Sequence, residues 1–270
     1  MVPAPLSTRN VPSPSFPFPQ RHVRRGLALV AGAVLSGTPV RALDAQPRAA
    51  APQSEVRQLV TFLFLPGRFA DAMAIYESKL KPIYADVAPL RRFRAYREAE
   101  SPEPLDLVVV SSYAGMAGMD LANEALRRPN AAGQTAMSFY GALSAMTQTH
   151  HDQFVEMLPA LSDTATEAST LTVFEYIRVA PGKQAQYERG LRTVVRPFER
   201  ANGLYAWSET GRVLVSDGWD YLRIFGITSL GDWHRYTRDA RQPGSPFAAD
   251  TLVAARKTII LRREGRLSVR

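Results

Sequence analysis

The sequence predicts an α+β protein: two tandem ferredoxin-like βαββαβ units that close into an intramolecular α/β barrel. Three observations predict it. A shift of 115 residues superposes the punctuation of the two halves, Pro66-Gly67 on Pro181-Gly182 and Lys81-Pro82 on Arg196-Pro197. Each half reads as strand, helix, two strands, helix, strand. Its opening strands, Val56–Leu65 and Leu171–Val179, are apolar on both faces, whereas a sheet with one wet face alternates apolar with polar.

The elements follow in order. Residues 1–45 hold five arginines and one acid, so about half of the formal charge of +8 sits there. Basic Arg21–Arg25, the apolar run Gly26–Leu35 and the small residues Ala42 and Ala45 have the order of a secretory signal. Arg24-Arg25 also fits a loose twin-arginine signal. The apolar run is shorter than the roughly 20 residues a bilayer requires, so no membrane anchor is expected in the mature form. Export to the periplasm or outside is the expectation, and an Arg- and Ser-rich mitochondrial leader is the alternative. The Pro-rich stretch ahead of Arg21 also raises Val23 as an alternative initiator.

The first unit is expected over residues 54–158. Its first helix carries the stripe Phe69, Ala72, Met73, Tyr76, Leu80, Ile83, Tyr84 and Val87. Strands at Leu90–Glu98 and Leu105–Tyr113 follow, then a helical region from Met119 broken at Pro129-Asn130 and resuming near Ala136, then a strand at His150–Leu158. Residues 159–169, rich in Ser, Thr and Ala, read as a linker. The second unit spans residues 170–265. Its helix stripe is Tyr187, Leu191, Val194, Val195 and Phe198, and its strands are Gly203–Glu209 (with an extension through Val213–Ser216), Trp219–Thr228 and Arg256–Arg263. A helix from Gly231 breaks at Pro243–Pro246 and resumes near Phe247. Pro82 and Pro197 predict a kink or an early end of their helices. Sheets covered on both faces are explained most simply if the two halves cover each other, which makes the barrel.

Val173-Phe174-Glu175-Tyr176-Ile177-Arg178-Val179-Ala180-Pro181-Gly182-Lys183 resembles the first strand and Pro-Gly-Lys turn of NIPSNAP-like domains. Trp233-His234-Arg235-Tyr236 with Ser245-Pro246-Phe247 resembles the broken second helix of antibiotic-biosynthesis monooxygenases. Both groups belong to the dimeric α/β-barrel superfamily. The second half matches over nearly its whole length, the first mainly in pattern. The resemblance implies the barrel. It leaves function open among cofactor-free oxygenases, haem-handling enzymes, isomerases and proteins without activity, because fold does not fix function.

The chain has no Cys, which excludes disulfides, thiolate metal sites and Cys nucleophiles. No phosphate-binding Gly-rich loop, GxSxG elbow or HExxH occurs. Basic residues are interspersed with acids, so nucleic-acid binding is not expected. His150 and His151 are adjacent on a strand and point to opposite faces, one expected half-buried and the other exposed. No metal site is expected. His234 is the best single catalytic candidate. Haem-binding relatives take a His from the C-terminal half, so it is also the axial ligand if haem is held, although no cofactor is predicted. Tyr176, Trp207, Arg223 and Trp233 are the candidate ligand-binding residues. Arg223, if it faces the lumen, needs a partner or an anion, and Glu175 is the nearest one.

Three functions compete: binding of a small hydrophobic or aromatic acidic molecule in the barrel, which is preferred; a cofactor-independent or haem-dependent monooxygenase; and a non-catalytic oligomerisation or interaction protein. A lumen filled by side chains favours the last. The protein is expected to be a monomer or a further homo-oligomer.

Overall fold

A computed structural model describes residues 54–130, 133–163, 169–215, 218–240 and 251–269. The expected leader, residues 164–168 of the expected linker, and the expected Pro243–Pro246 break with the resumption near Phe247 lie outside the described residues. Among those described, no helix is long and apolar enough to cross a membrane.

The first half contains β1 (Val56–Phe64), α1 (Phe69–Ile75), α2 (Lys81–Asp86), β2 (Leu90–Glu100), β3 (Leu107–Tyr113), α3 (Gly115–Arg127), α4 (Ala136–Ser144) and β4 (Thr147–Met157). The second contains β5 (Leu171–Val179), α5 (Gln184–Gly190), α6 (Arg196–Ala201), β6 (Trp207–Val215), β7 (Tyr221–Ile227), α7 (Leu230–Ala240) and β8 (Val253–Arg263). The eight strands form a closed barrel in the order β1-β3-β2-β8-β5-β7-β6-β4. Each half supplies a ferredoxin-like four-strand sheet. The two sheets do not merely face one another: they are stitched edge to edge by antiparallel ladders, β2 to β8 (Tyr96 opposite Arg263) and β4 to β6 (Val155 opposite Val213). Closure satisfies the edge N–H and C=O groups that an open sheet would leave to solvent.

Eight strands enclose a lumen that side chains can fill. Here they do so from both halves: Leu59, Val108, Val110, Phe174, Leu222, Ile224, Ile259 and Leu261 form one cluster. The opposite face of each sheet carries that half's helices, with their own cores around Leu80, Phe93 and Leu126 in the first half and Val173, Phe225 and Tyr236 in the second. This accounts for the two-sided apolar strands; along β5 every residue is buried except Arg178.

Several local expectations are corrected. Pro82 and Pro197 neither end nor break their helices. Each follows a π-helical turn, Tyr76–Leu80 and Leu191–Val195, whose last N–H, on Lys81 or Arg196, reaches back five residues to Tyr76 or Leu191. The wider turn absorbs the ring's clash and its missing donor. The helix expected from Met119 starts at Gly115, whose φ of 70° turns the chain directly out of β3. The strand expected at Gly203 starts at Trp207, because Gly203 (φ 55°) is itself the turn. Beginning at Thr147 and Val253, β4 and β8 each start three residues early. The Pro-Gly turns of the two halves agree in conformation, with φ of 78° at Gly67 and 74° at Gly182.

Candidate functional site

Strand parity decides which side chains face the lumen and which face the helices. On β7, Leu222 and Ile224 point inward, so Arg223 lies beneath the helices. The lumen position expected for Arg223 is therefore corrected; both faces of β7 are apolar, and the sequence held no signal of which was which. Arg223 does pair with Glu175, at 3.0 Å, and more closely with Glu199 of α6, at 2.6 and 2.8 Å. Tyr236 donates to Glu199 at 3.0 Å, and Arg256 reaches the other Glu175 oxygen at 3.0 Å. Two guanidiniums thus face two carboxylates, Arg223 buried and Arg256 half-buried. Burial opposes the Arg223 charge, but Glu199 and Glu175 outweigh it and hold its pKa well above the ordinary value.

This network occupies the space under the second half's helices, together with stacked aromatic rings. Trp233 lies 5.3 Å from Tyr236, and Phe225 lies 5.3 Å from Tyr236 and 6.1 Å from Trp233. Among the described residues, this packing leaves no slot for a tetrapyrrole. His234 is exposed on α7. Among the described residues, no group of three or more His, Asp or Glu is placed to hold a metal ion.

Trp207 faces the lumen but fills it. Its indole N–H donates to Ser169 Oγ at 3.1 Å, and a Cβ at Gly226 would collide with that indole nitrogen. At the same end of the barrel, Arg57 makes a two-pronged ion pair with Glu209, at 2.6 and 2.7 Å, across the two halves. That end is closed. Tyr176 points into the lumen towards the other end, where the barrel opens.

A cavity of about 320 Å³ lies instead between the sheet of the first half and its helices. Sequence reasoning missed it. Phe62 and Phe93 of the sheet form its floor, with Phe62 6.2 Å from the Tyr76 ring and Phe93 4.5 Å from Tyr84. Tyr76 comes from the π-helical turn and Tyr84 from α2. Leu126 of α3 and Leu143 of α4 line the helix side. Tyr140 of α4 hydrogen-bonds Tyr84, oxygen to oxygen, at 2.5 Å. Thr135 places α4 by accepting the Ser138 N–H at its start (3.3 Å), the usual role of a Thr cap.

Burial raises the pKa of Tyr76, Tyr84 and Tyr113, and that of Tyr140 to about 12. These phenols therefore keep their protons at neutral pH and act as donors. In the Tyr84–Tyr140 pair one O–H is used between them, and the other remains to be offered to a ligand. His150 stacks on Phe62 at 6.2 Å, with Nε2 3.6 Å from Asp152 at the rim; Asp152 also accepts from Gln58 Nε2 at 2.9 Å. His150 and His151 do point to opposite faces, but both are exposed, because β4 begins at the barrel rim rather than in its middle.

The arrangement is a flat apolar slot with several convergent polar groups, which is the general form of a small-molecule site. It can hold an aromatic ring against Phe62 and Phe93 and accept or donate hydrogen bonds at the tyrosine end. The signal in the sequence was the helix stripe itself. Tyr76 and Tyr84 stand where the second half has Leu191 and Glu199, so the first half buries hydroxyls where its counterpart buries a methyl-rich side chain and an ion-paired carboxylate.

No family model and no curated protein matches the sequence. Solved structures do match the fold. A putative monooxygenase from Lactobacillus acidophilus superposes with a TM-score of 0.55 at 8% identity, over 80% of this chain and 96% of that one. A putative monooxygenase from Fusobacterium nucleatum gives 0.55 at 11%, over 78% and 92%. A heme-binding protein from Thermus thermophilus gives 0.51 at 11%, over 80% and 96%. At these identities the likeness is one of fold, and the fold is that of the dimeric α/β barrels.

Proposed function

We propose that this protein binds a small, flat, phenolic or enolic molecule in the first-half cavity, its hydroxyl meeting the Tyr84–Tyr140 pair. The observation that carries this reading is the convergence of three buried tyrosines, Tyr76, Tyr84 and Tyr113, and the half-buried Tyr140 on a space of about 320 Å³ floored by two Phe rings. It moves the preferred site from the barrel lumen, whose middle is filled, to the space beneath the helices.

Titration calorimetry with 2-naphthol tests it. The wild-type chain is expected to take up one molecule. Tyr140→Phe removes only a hydroxyl, and loss of one hydrogen bond of about 1 kcal/mol weakens binding roughly fivefold. Leu126→Trp fills the slot and abolishes uptake. Absence of binding by the wild type, or equal binding by wild type and both variants, refutes the reading.

A second reading, monooxygenase-like chemistry without a cofactor, is favoured by one observation: the exposed His150–Asp152 pair at the rim. His150 as a base would take a proton from an activated methylene carbon. The carbanion then reduces O₂, one oxygen becoming a carbonyl on that carbon and the other leaving as water. The four electrons come from the substrate, so no external reductant is required. Oxygen uptake equal to the product formed, lost in His150→Ala with binding retained, is the expected result. The structural neighbours that carry the name monooxygenase support this reading at the level of fold.

A further inference from the structure

The tyrosine slot is rich in hydroxyls and poor in charge. Among the described residues that line it, Asp152 is the one acid, and there is no Lys or Arg. Apart from His150 and the tyrosines, its other polar side chains are amides and hydroxyls, those of Gln58, Ser111, Asn123, Ser144 and Thr147.

Strand pairing fixes where the Asp152 carboxylate points. In the β1–β4 ladder Asp152 stands opposite Val60, and His150 opposite Phe62. Val60 and Phe62 both line the slot, so alternate residues of β4 bring Asp152 and His150 to the same face. His151, between them, lines the cavity on the other side of the sheet.

Asp152 is held in place by a neutral group. Gln58 donates an N–H to its Oδ1 at 2.9 Å. His150 Nε2 is 3.6 Å from its Oδ2, too far for a hydrogen bond. The Asp152 side chain is 39% exposed, which puts it at the mouth of the slot rather than in the bulk of the solvent.

Aromatic rings complete the surroundings. Burial raises the Tyr76 pKa, and Tyr140 and the Asp152 charge add to the rise, so this phenol lies within electrostatic reach of both ends of the slot. The Phe62 ring is 6.2 Å from that of Tyr76 and 6.2 Å from that of His150. An ammonium group in front of Asp152 would meet a carboxylate and aromatic rings together, a setting in which cations are bound well. A carboxylate on the ligand would meet a like charge and no lining cation to offset it.

We infer that the ligand of the tyrosine slot is a phenolic amine. Its ring lies on Phe62 and Phe93, its hydroxyl meets the Tyr84–Tyr140 pair, and its ammonium pairs with Asp152 beside Phe62 and Tyr76. Resting on the phenol-binding reading of the slot, this makes Asp152 a specificity-determining residue: the tyrosine pair selects for the hydroxyl, and Asp152 selects among phenols by charge.

Three phenols of similar shape separate charge from fit: tyramine, its neutral alcohol counterpart tyrosol, and 4-hydroxyphenylacetate. In titration calorimetry of the full chain at neutral pH, tyramine is expected to bind about fivefold tighter than tyrosol, the worth of a partly exposed ion pair. The acid is expected to bind more weakly than either. Salt screens such a pair, so the tyramine advantage shrinks at about 0.5 M NaCl while tyrosol is unaffected. Asp152→Asn keeps an acceptor for Gln58 and removes the charge; tyramine then binds no better than tyrosol, and tyrosol binds as it does to the wild type. The charge assignment is overturned, with the phenol site left standing, if tyrosol binds and tyramine gains nothing over it, if the acid is the tightest of the three, if the tyramine advantage is indifferent to salt, or if it survives in Asp152→Asn. It is overturned also if none of the three binds, and 2-naphthol under the same conditions then shows whether the phenol site falls with it.

Discussion

Replacing Arg223 by Met tests the claim that the second half is a core rather than a binding site. Arg223 touches both Glu199 and Glu175, the first by two hydrogen bonds and the second by one. Their side chains are 0% and 1% exposed, and that of Arg223 is 3%. Met matches the length of the stem but leaves Glu199 with the uncharged Tyr236 hydroxyl and Glu175 with Arg256. Breaking a buried pair by removing one partner costs about 3–5 kcal/mol, because the other charge is stranded. For a domain of this size each kcal/mol corresponds to about 2–4 °C, so the expected fall in Tm is on the order of 6–20 °C. Urea unfolding should show a lower midpoint with an unchanged slope. Adding Glu199→Gln removes one stranded charge while keeping its shape, and should restore at least half of the loss. A single Arg223→Met variant as stable as the wild type, or a double variant less stable than the single, would refute the reasoning.

Two further outcomes follow from the closed end of the barrel. Burial alone would raise the pKa of Glu209, but the hydrogen bonds and charge of Arg57, with Arg94 and Arg92 beyond, outweigh it and hold the carboxyl below its ordinary value. Its contribution is thus complete above the unfolded carboxylate pKa of about 4.3 and is lost as pH falls through the folded value; thermal melts between pH 7 and pH 3 should show an acid limb that Glu209→Gln makes shallower. Gly226→Ala places a methyl group against the Trp207 indole and 2.6 Å from Ser169 Oγ, and should cost about 1–3 kcal/mol by overpacking, measured by the same denaturant titration.

The architecture was legible because its signals are local. Strands such as Leu171–Val179 carry apolar residues on both faces, and that pattern requires a cover for each face. The Pro-Gly turns mark where each half begins again. What could not be read was parity. With Leu222 and Ile224 on one face of β7 and Phe225 and Ile227 on the other, nothing in the pattern says which side is lumen, so the sequence leaves open whether Arg223 faces it. The tyrosine slot was illegible for a different reason. Tyr84 and Tyr140 are 56 residues apart and meet only after α2 and α4 dock on the same sheet. Along either helix each is one more aromatic residue at core spacing. The π-helical turns ahead of Pro82 and Pro197 were likewise invisible, since proline announces that a helix must be disturbed but not how the disturbance is absorbed.

Where a flat phenol binds decides between the first-half cavity and the core of the second half. A crystal of the protein grown with 2-naphthol is the most direct measurement. Density is expected for the naphthalene rings over Phe93 and Phe62, with the hydroxyl oxygen within hydrogen-bonding distance of Tyr84 or Tyr140. Density lodged instead among Phe225, Trp233 and Tyr236, or a first-half cavity closed by its own tyrosines, would contradict it.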